Sequence, residues 1–167
     1  MVVLLESNKK HESEVWIKEH VYELISLRTK GGDTILHKVF YICLDCFPIE
    51  SFVRMFVEEC KMDVNVQNNW RATPLHCLSS MIMCEQIYPT EDVMRVAELL
   101  ISNGSHMDAV DVDGLEASQY FSRRCPKWSF NFSLKCLAAR AILKHGYEQY
   151  VPKNMIPFIE SHKPGDL

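Results

Sequence analysis

One short pattern recurs three times along the chain, and it dictates a stacked architecture. It reads Gly32-Asp33-Thr34-Ile35-Leu36-His37, then Arg71-Ala72-Thr73-Pro74-Leu75-His76, then in degenerate form Asp113-Gly114-Leu115-Glu116-Ala117-Ser118. Each copy is followed by apolar residues at helical spacing. Two copies are preceded by a second pattern, Met62-Asp63-Val64-Asn65-Val66 and Gly104-Ser105-His106-Met107-Asp108-Ala109-Val110-Asp111. Helix-like runs over Ile49–Cys60 and Glu91–Asn103 lead into those. A unit of this size cannot bury its apolar face alone, so neighbouring units must stack to make one continuous core.

The pattern resembles the ankyrin signature: a turn, Thr-Pro-Leu-His opening one helix, a second helix, then a Gly and an Asp/Asn turn. The physics is local. Thr73 is placed to cap a helix, and Pro74 suits its first turn, where the missing N–H is not needed. Leu75 faces the core, His37 and His76 are placed to hydrogen-bond across adjacent turns, and Gly104 sits where a helix end wants a left-handed residue. Thr34 to Thr73 is 39 residues and Thr73 to Glu116 is 43, against about 33 for a standard unit. The extra residues fall between the paired helices, around Asp45–Glu50 and Cys84–Thr90, where Pro48 and Pro89 act as loop breakers. Arg71 replaces the usual turn glycine, and the third copy lacks Thr, Pro and His.

The expected fold is therefore all-α: an ankyrin-repeat solenoid of about three divergent repeats, followed by a helical segment of another kind. Residues 1–31 hold one helical pattern, in which Val15, Trp16, Val21, Leu24, Ile25 and Leu27 form an apolar stripe. It predicts a helix from about Glu12 to Arg28 that is a cap on the stack or the remnant of a further repeat. Residues 32–124 are the repeats, 125–132 a linker, 133–162 the terminal helices and 163–167 a tail.

Composition narrows the function. The 167 residues are 47% hydrophobic and 24% charged, as in globular proteins, and a chain this long can build a core without metals or disulfides. A net charge of −4 supplies no basic field for duplex nucleic acid. The longest apolar runs, such as Val2–Leu5, fall far short of the ~20 residues of a membrane span. No secretory signal pattern opens the chain. Its 7 scattered cysteines read as reduced thiols of a cytoplasmic or nuclear protein.

The terminal segment carries the most specific signal. A helix is predicted over Ser133–His145, with Ser133 as its cap and Gly146 as its stop. Leu134, Ala138 and Ile142 lie on one stripe; Leu137, Ala141 and the Lys144 stem lie on another. One stripe suffices to dock a terminal helix, so either both are buried within the chain or one faces a partner. A second short amphipathic helix follows over Val151–Ile159.

Ser133, Leu134, Ala138 and Ile142 resemble the elongin-binding box of cullin-type ubiquitin-ligase receptors. Val151, Pro152, Met155 and Ile159 resemble the cullin-2 box, and together the two make a VHL-box-like segment. The long-insertion repeats, Gly104–Ala109, Ser133–Ala141 and the Phe158-Ile159-Glu160-Ser161-His162 ending are similar to the C-terminal part of the Fem (feminization) family. The resemblance runs from about Gly32 to His162. It implies a non-catalytic substrate receptor of cullin-2 RING ligases, with elongin C (together with elongin B) and cullin-2 as partners. The long N-terminal array with which family members read substrate degrons has no counterpart in these residues, so a substrate surface is not assigned. The competing expectation is a plain ankyrin scaffold in which Leu134 and Ile142 are buried.

Catalytic and metal motifs are weak. Cys43 and Cys46 have Cys-x-x-Cys spacing but no second pair for zinc and no βαβ context for redox chemistry. Cys60, Cys77, Cys84 and Cys136 read as small core residues. Asp108, Asp111 and Asp113 lack the order of a calcium loop and read as turn chemistry. His11, His20, His145 and His162 read as solvated. Arg123, Arg124 and Lys127 form a short solvated cluster, and Trp70 and Tyr88 are single loop aromatics of little weight. No cofactor, metal or catalytic residue is assigned.

Overall fold

A computed structural model describes residues 20, 23, 25–42, 49–84, 90–125 and 134–163. Among them are seven α-helices: α1 Ile35–Ile42, α2 Ile49–Arg54, α3 Pro74–Met83, α4 Glu91–Ser102, α5 Ala117–Arg124, α6 Leu134–His145 and α7 Ile156–Glu160. A π turn over Met55–Glu59 extends α2, and single 3-10 turns cover Glu148–Tyr150 and Lys153–Met155. The β pairing among the described residues is one isolated bridge, Val110 to Glu116. The chain is all-α. The insertions at 43–48 and 85–89, with Pro48, Pro89, Tyr88 and the Cys43–Cys46 pair, lie outside the described residues, as does most of the N-terminal helix expected from Glu12. Of that helix, His20, Glu23, Ile25 and Ser26 are helical, and Ile25 packs against the core.

The first helices of the three units form one row, with α1 against α3 and α3 against α5; α2 packs on α4 in the second row. Leu36, Phe40, Leu75, Leu78, Ile82, Leu100 and Phe121 are buried in a single core, each side chain contributing roughly 1.5–3 kcal/mol by leaving water. Leu36 and Leu75 hold the same place in successive copies of the pattern, as the recurrence predicts.

The Thr-x-x-His element fixes the register of that stack. The Thr73 hydroxyl caps α3 by accepting from the His76 N–H at 3.4 Å, and the Thr73 N–H donates to His76 Nδ1 at 3.2 Å. Accepting there makes Nδ1 the bare nitrogen, so Nε2 carries the proton, which it donates to the Leu115 carbonyl of the next unit at 3.2 Å. The first unit repeats the device: the Thr34 N–H donates to His37 Nδ1 at 3.1 Å, and His37 Nε2 donates to the Ala72 carbonyl at 3.0 Å. A cap and an inter-unit bond thus come from one side chain.

The turns are joined in parallel. Asn68 Oδ1 accepts from the Trp70 and Ala72 amides, both at 3.0 Å. Asp111 Oδ1 accepts from Asp113 and Leu115, both at 2.9 Å. Asp111 therefore serves turn chemistry, as expected. Asn68 also donates to Asp33 at 2.8 Å, and the Val112 amide to the Trp70 carbonyl at 2.9 Å. Gly104, at φ +92°, ends α4 in a Schellman motif: Ser105 N–H reaches the Leu100 carbonyl at 3.0 Å and Gly104 N–H reaches Ile101 at 2.9 Å.

Two details depart from the pattern. The helix expected over Ile49–Cys60 widens at Met55, where the Cys60 N–H bonds five residues back to Met55 at 2.9 Å. Met55, Phe56 and Val57 are all buried there. Among the cysteines, Cys77 and Cys136 are buried as expected, but Cys60 is half-buried and Cys84 exposed, because Cys84 lies past the end of α3.

Burial lowers the pKa of both His37 and His76 below the ordinary 6.5, outweighing the backbone hydrogen bonds that raise it. His106 is shifted the same way by burial and by the neighbouring His162. Their neutral forms are the stabilised ones. That stability is complete above about pH 6.5 and is lost as pH falls through the depressed folded values. Denaturant midpoints should fall on going from about pH 7.5 to 5, while Asp33, whose pKa is lowered from 3.8, acts only at lower pH. Thr73→Ala should cost about 0.5–2 kcal/mol in equilibrium unfolding by loss of its cap.

Candidate docking site at the C-terminal helices

Helix α6 presents a different face to the body from those that its stripes predict. Cys136 and Ala139 are buried, and Arg140, Ile142 and Leu143 are half-buried. Leu134 is 85% exposed, and Leu137, Ala138 and Ala141 are also exposed. Ile142, one position off this face, turns toward the body. Ser133 lies outside the described residues. The helix thus docks by a third face, built from Cys136 and Ala139, and keeps Leu134, Leu137, Ala138 and Ala141 in solvent.

Gly146, at φ +69°, ends α6, with Tyr147 N–H closing on the Ile142 carbonyl at 3.0 Å. Beyond it Tyr147 stacks on His145, with ring centroids 5.8 Å apart, and meets Tyr150 edge-on at 6.3 Å. Nine large apolar side chains are exposed among the described residues. Five of them, Leu134, Leu137, Tyr147, Tyr150 and Ile156, belong to this segment. The two tyrosines escaped sequence reasoning, because neither box pattern includes them; their place directly after a helix-stopping glycine was the available signal.

The second set divides. Pro152 is exposed, and Val151 and Met155 are half-buried. Ile159 does not face outward: at 3% exposure it anchors α7 to the body. Phe158, the other inward apolar side chain of this five-residue helix, is half-buried against His106. Val151, Ile156 and Ile159 line a groove of about 90 Å³ together with Leu143 of α6.

What fastens α7 is a buried polar network centred on Asp108. His162 Nε2 lies 3.1 Å from Asp108 Oδ1, and Arg140 Nε lies 3.0 Å from Asp108 Oδ2. Arg140 also pairs with Glu116. Burial raises the Asp108 pKa, but the hydrogen bonds from His162 and Cys136 and the charges of His162 and Arg140 outweigh it and hold the carboxyl below the ordinary 3.8. His162 is therefore buried rather than solvated, and the Asp108 carboxylate, expected to serve its turn, pairs instead with His162 and Arg140. Sequence spacing could not reveal this, because the partners are 54 residues apart.

Arg71 completes the attachment. It occupies the left-handed region at φ 58°, where a glycine is usual. Its guanidinium donates to the carbonyls of Glu160 at 3.1 Å and Lys163 at 3.0 Å, capping α7. The Val110 amide donates to the Ser161 carbonyl at 3.1 Å. The departure at Arg71 thus marks the contact between the second repeat turn and the C-terminal helix. Arg124, from the basic cluster, donates to the Met83 carbonyl at 3.4 Å. Trp70 is exposed beside a second groove, of about 190 Å³, bordered by Lys38, Tyr41, His76 and Tyr120 along the first-row helices.

These features define a helical-repeat interaction scaffold, with C-terminal helices braced against the repeat turns. No family model matches the chain. Among curated proteins it is similar to Protein fem-1 homolog C of Homo sapiens, 27% identical over 91% of this chain and 26% of the relative. The homolog C of Xenopus laevis is 26% identical over 87% of the chain and 25% of the relative. Protein fem-1 homolog A of Danio rerio is 30% identical over 90% of the chain and 25% of the relative. These similarities, over about nine-tenths of the chain, support a member of the Fem family. It spans about a quarter of the length of the curated relatives it matches.

Arg71→Gly relieves about 1–2 kcal/mol of left-handed strain and removes two charge-assisted hydrogen bonds of similar or greater worth. Amide exchange over residues 156–163 should accelerate, while α1 and α3 keep their protection.

Proposed function

We propose that the chain is the docking portion of a substrate receptor in a cullin-2–elongin B/C ubiquitin ligase. The observation that carries this reading is the exposure of Leu134 on a helix already secured through its opposite face. A monomer gains nothing by leaving Leu134, Leu137 and the two tyrosines in water, and a cluster of this kind marks an interaction surface. Leu134 enters an apolar pocket of elongin C, contributing roughly 1.5–3 kcal/mol, the size of an interface hot spot. Ala138 allows close approach of the partner, as in helix-in-groove recognition, and Ile142 borders the far end. Val151, Pro152 and Met155 face cullin-2, with Ile159 beneath them as an internal support. No bond-making residue is required, because the receptor's task is to hold a substrate near the ligase. Such assembly takes place in the cytoplasm or nucleus.

The groove beside Trp70 favours a second reading, a scaffold that binds its partner along the repeats without a ligase. Leu134→Asp separates the two. Leu134 is exposed, and a carboxylate in the first turn of a helix suits its dipole, so the variant should stay folded. It should no longer co-elute with elongin B/C on size exclusion, and the wild type should form a complex that then accepts the cullin-2 N-terminal domain. Equal co-elution of wild type and variant, or none by a folded wild type, would contradict the docking reading.

A further inference from the structure

We propose that His106, Asp108, Cys136 and His162 form a zinc site that clips the C-terminal helices to the last repeat turn. The donor atoms, one from each residue, all lie within 4.8 Å of one another. His162 Nε2 is 3.1 Å from Asp108 Oδ1, and His106 Nδ1 is 3.2 Å from Cys136 Sγ. A tetrahedral zinc with ligands at 2.0–2.3 Å sets its donors roughly 3.3–3.8 Å apart, so small side-chain shifts complete the coordination. Asp108, Cys136 and His162 are buried and His106 half-buried, which suits a closed structural site. The donor set of one thiolate, two imidazoles and a carboxylate belongs to zinc rather than to calcium or magnesium.

The surroundings have the form of a supporting shell. His162 Nδ1 lies 2.8 Å from the Phe158 carbonyl and 3.0 Å from the Ser161 hydroxyl. Its Nε2 is left facing a carboxylate oxygen. An Nε2–H donates to that oxygen in the metal-free chain, and a bare Nε2 shares a cation with it. Ligating histidines characteristically give their other N–H to a carbonyl or carboxylate. Arg140 holds Asp108 Oδ2 at 3.0 Å, which aims Oδ1 into the cluster, and Glu116 neutralises Arg140. Thiolate and carboxylate together balance the two charges of zinc. The Phe158 ring packs on both imidazoles, with centroids 4.9 Å from His106 and 4.7 Å from His162, and screens them from water. The four ligands come from the turn after α4, from α6 and from the end of α7, so one ion ties three segments.

Cobalt(II) is the spectroscopic probe. The reduced full chain, titrated with cobalt(II), should bind one equivalent, giving tetrahedral d–d bands and a thiolate-to-metal charge-transfer band that zinc(II) displaces. Cys136→Ser should remove the charge-transfer band, and Cys84→Ser, at an exposed thiol, should leave it unchanged. His106 is half-buried, so His106→Gln is the variant least burdened by packing. It should weaken zinc binding in a chelator competition by more than the roughly 10–100-fold that loss of a supporting residue costs. Zinc should also raise the melting temperature of the wild type but not of His106→Gln. Absence of cobalt bands in the folded wild type, bands that persist in Cys136→Ser, or equal zinc affinity of wild type and His106→Gln would overturn the assignment. Elongin binding is not read in any of these measurements, so the two proposals stand or fall separately.

Discussion

The bond from each repeat histidine to the next unit's carbonyl is the interaction on which the rest depends. His37 reaches the Ala72 carbonyl and His76 the Leu115 carbonyl, and both imidazoles can do so only as the Nε2–H tautomer that the capping threonine enforces. One neutral, buried side chain therefore starts a helix, satisfies a backbone amide and sets the distance to the following turn. The apolar rows of α1, α3 and α5 supply the larger share of stabilisation, but hydrophobic contact is not directional. The histidines select one register among the slides that the core would tolerate.

That register places the turn after α4 where it can receive the C-terminal helices. Asp108 is held in its turn by the stack and reaches outward to Arg140 and His162, while Arg71 caps α7 from the turn of the preceding unit. The terminal helices are thus secured on one side by polar contacts together with the buried Cys136, Ala139 and Ile159. Their other side keeps its apolar residues free of internal duties, an arrangement that suits a protein whose work is to join others.

How far the sequence foretold this follows from the range of each interaction. Thr73, Pro74 and His76 act within one turn of helix, and their spacing alone announced the cap, the helix start and the inter-unit bond. Gly104 and Gly146 announced helix ends for the same reason. The exposed face of α6 was only half legible: the surplus of apolar stripes was visible, but which would turn inward was not. Cys136 and Ala139 form the inward face, and Cys136 meets His106 of the turn after α4 at 3.2 Å. Ile159 and His162 were misjudged, since a five-residue helix is held by whatever anchors it has. Their partners lie far away in sequence, in α6 and in the Asp108 turn. Arg71 looked like the loss of a glycine and proved to be the gain of a cap on α7.

The central claim is that a partner covers the outer face of α6 while the repeat core stays as it is. The most direct measurement is a methyl and amide NMR map of the chain with elongin B/C added. Leu134, Leu137, Ala138 and Ala141 should shift together with the Tyr147–Tyr150 turn, leaving Leu36, Leu75 and Leu100 unperturbed. Shifts concentrated around Trp70 and Tyr41, or a spectrum that does not change, would contradict it.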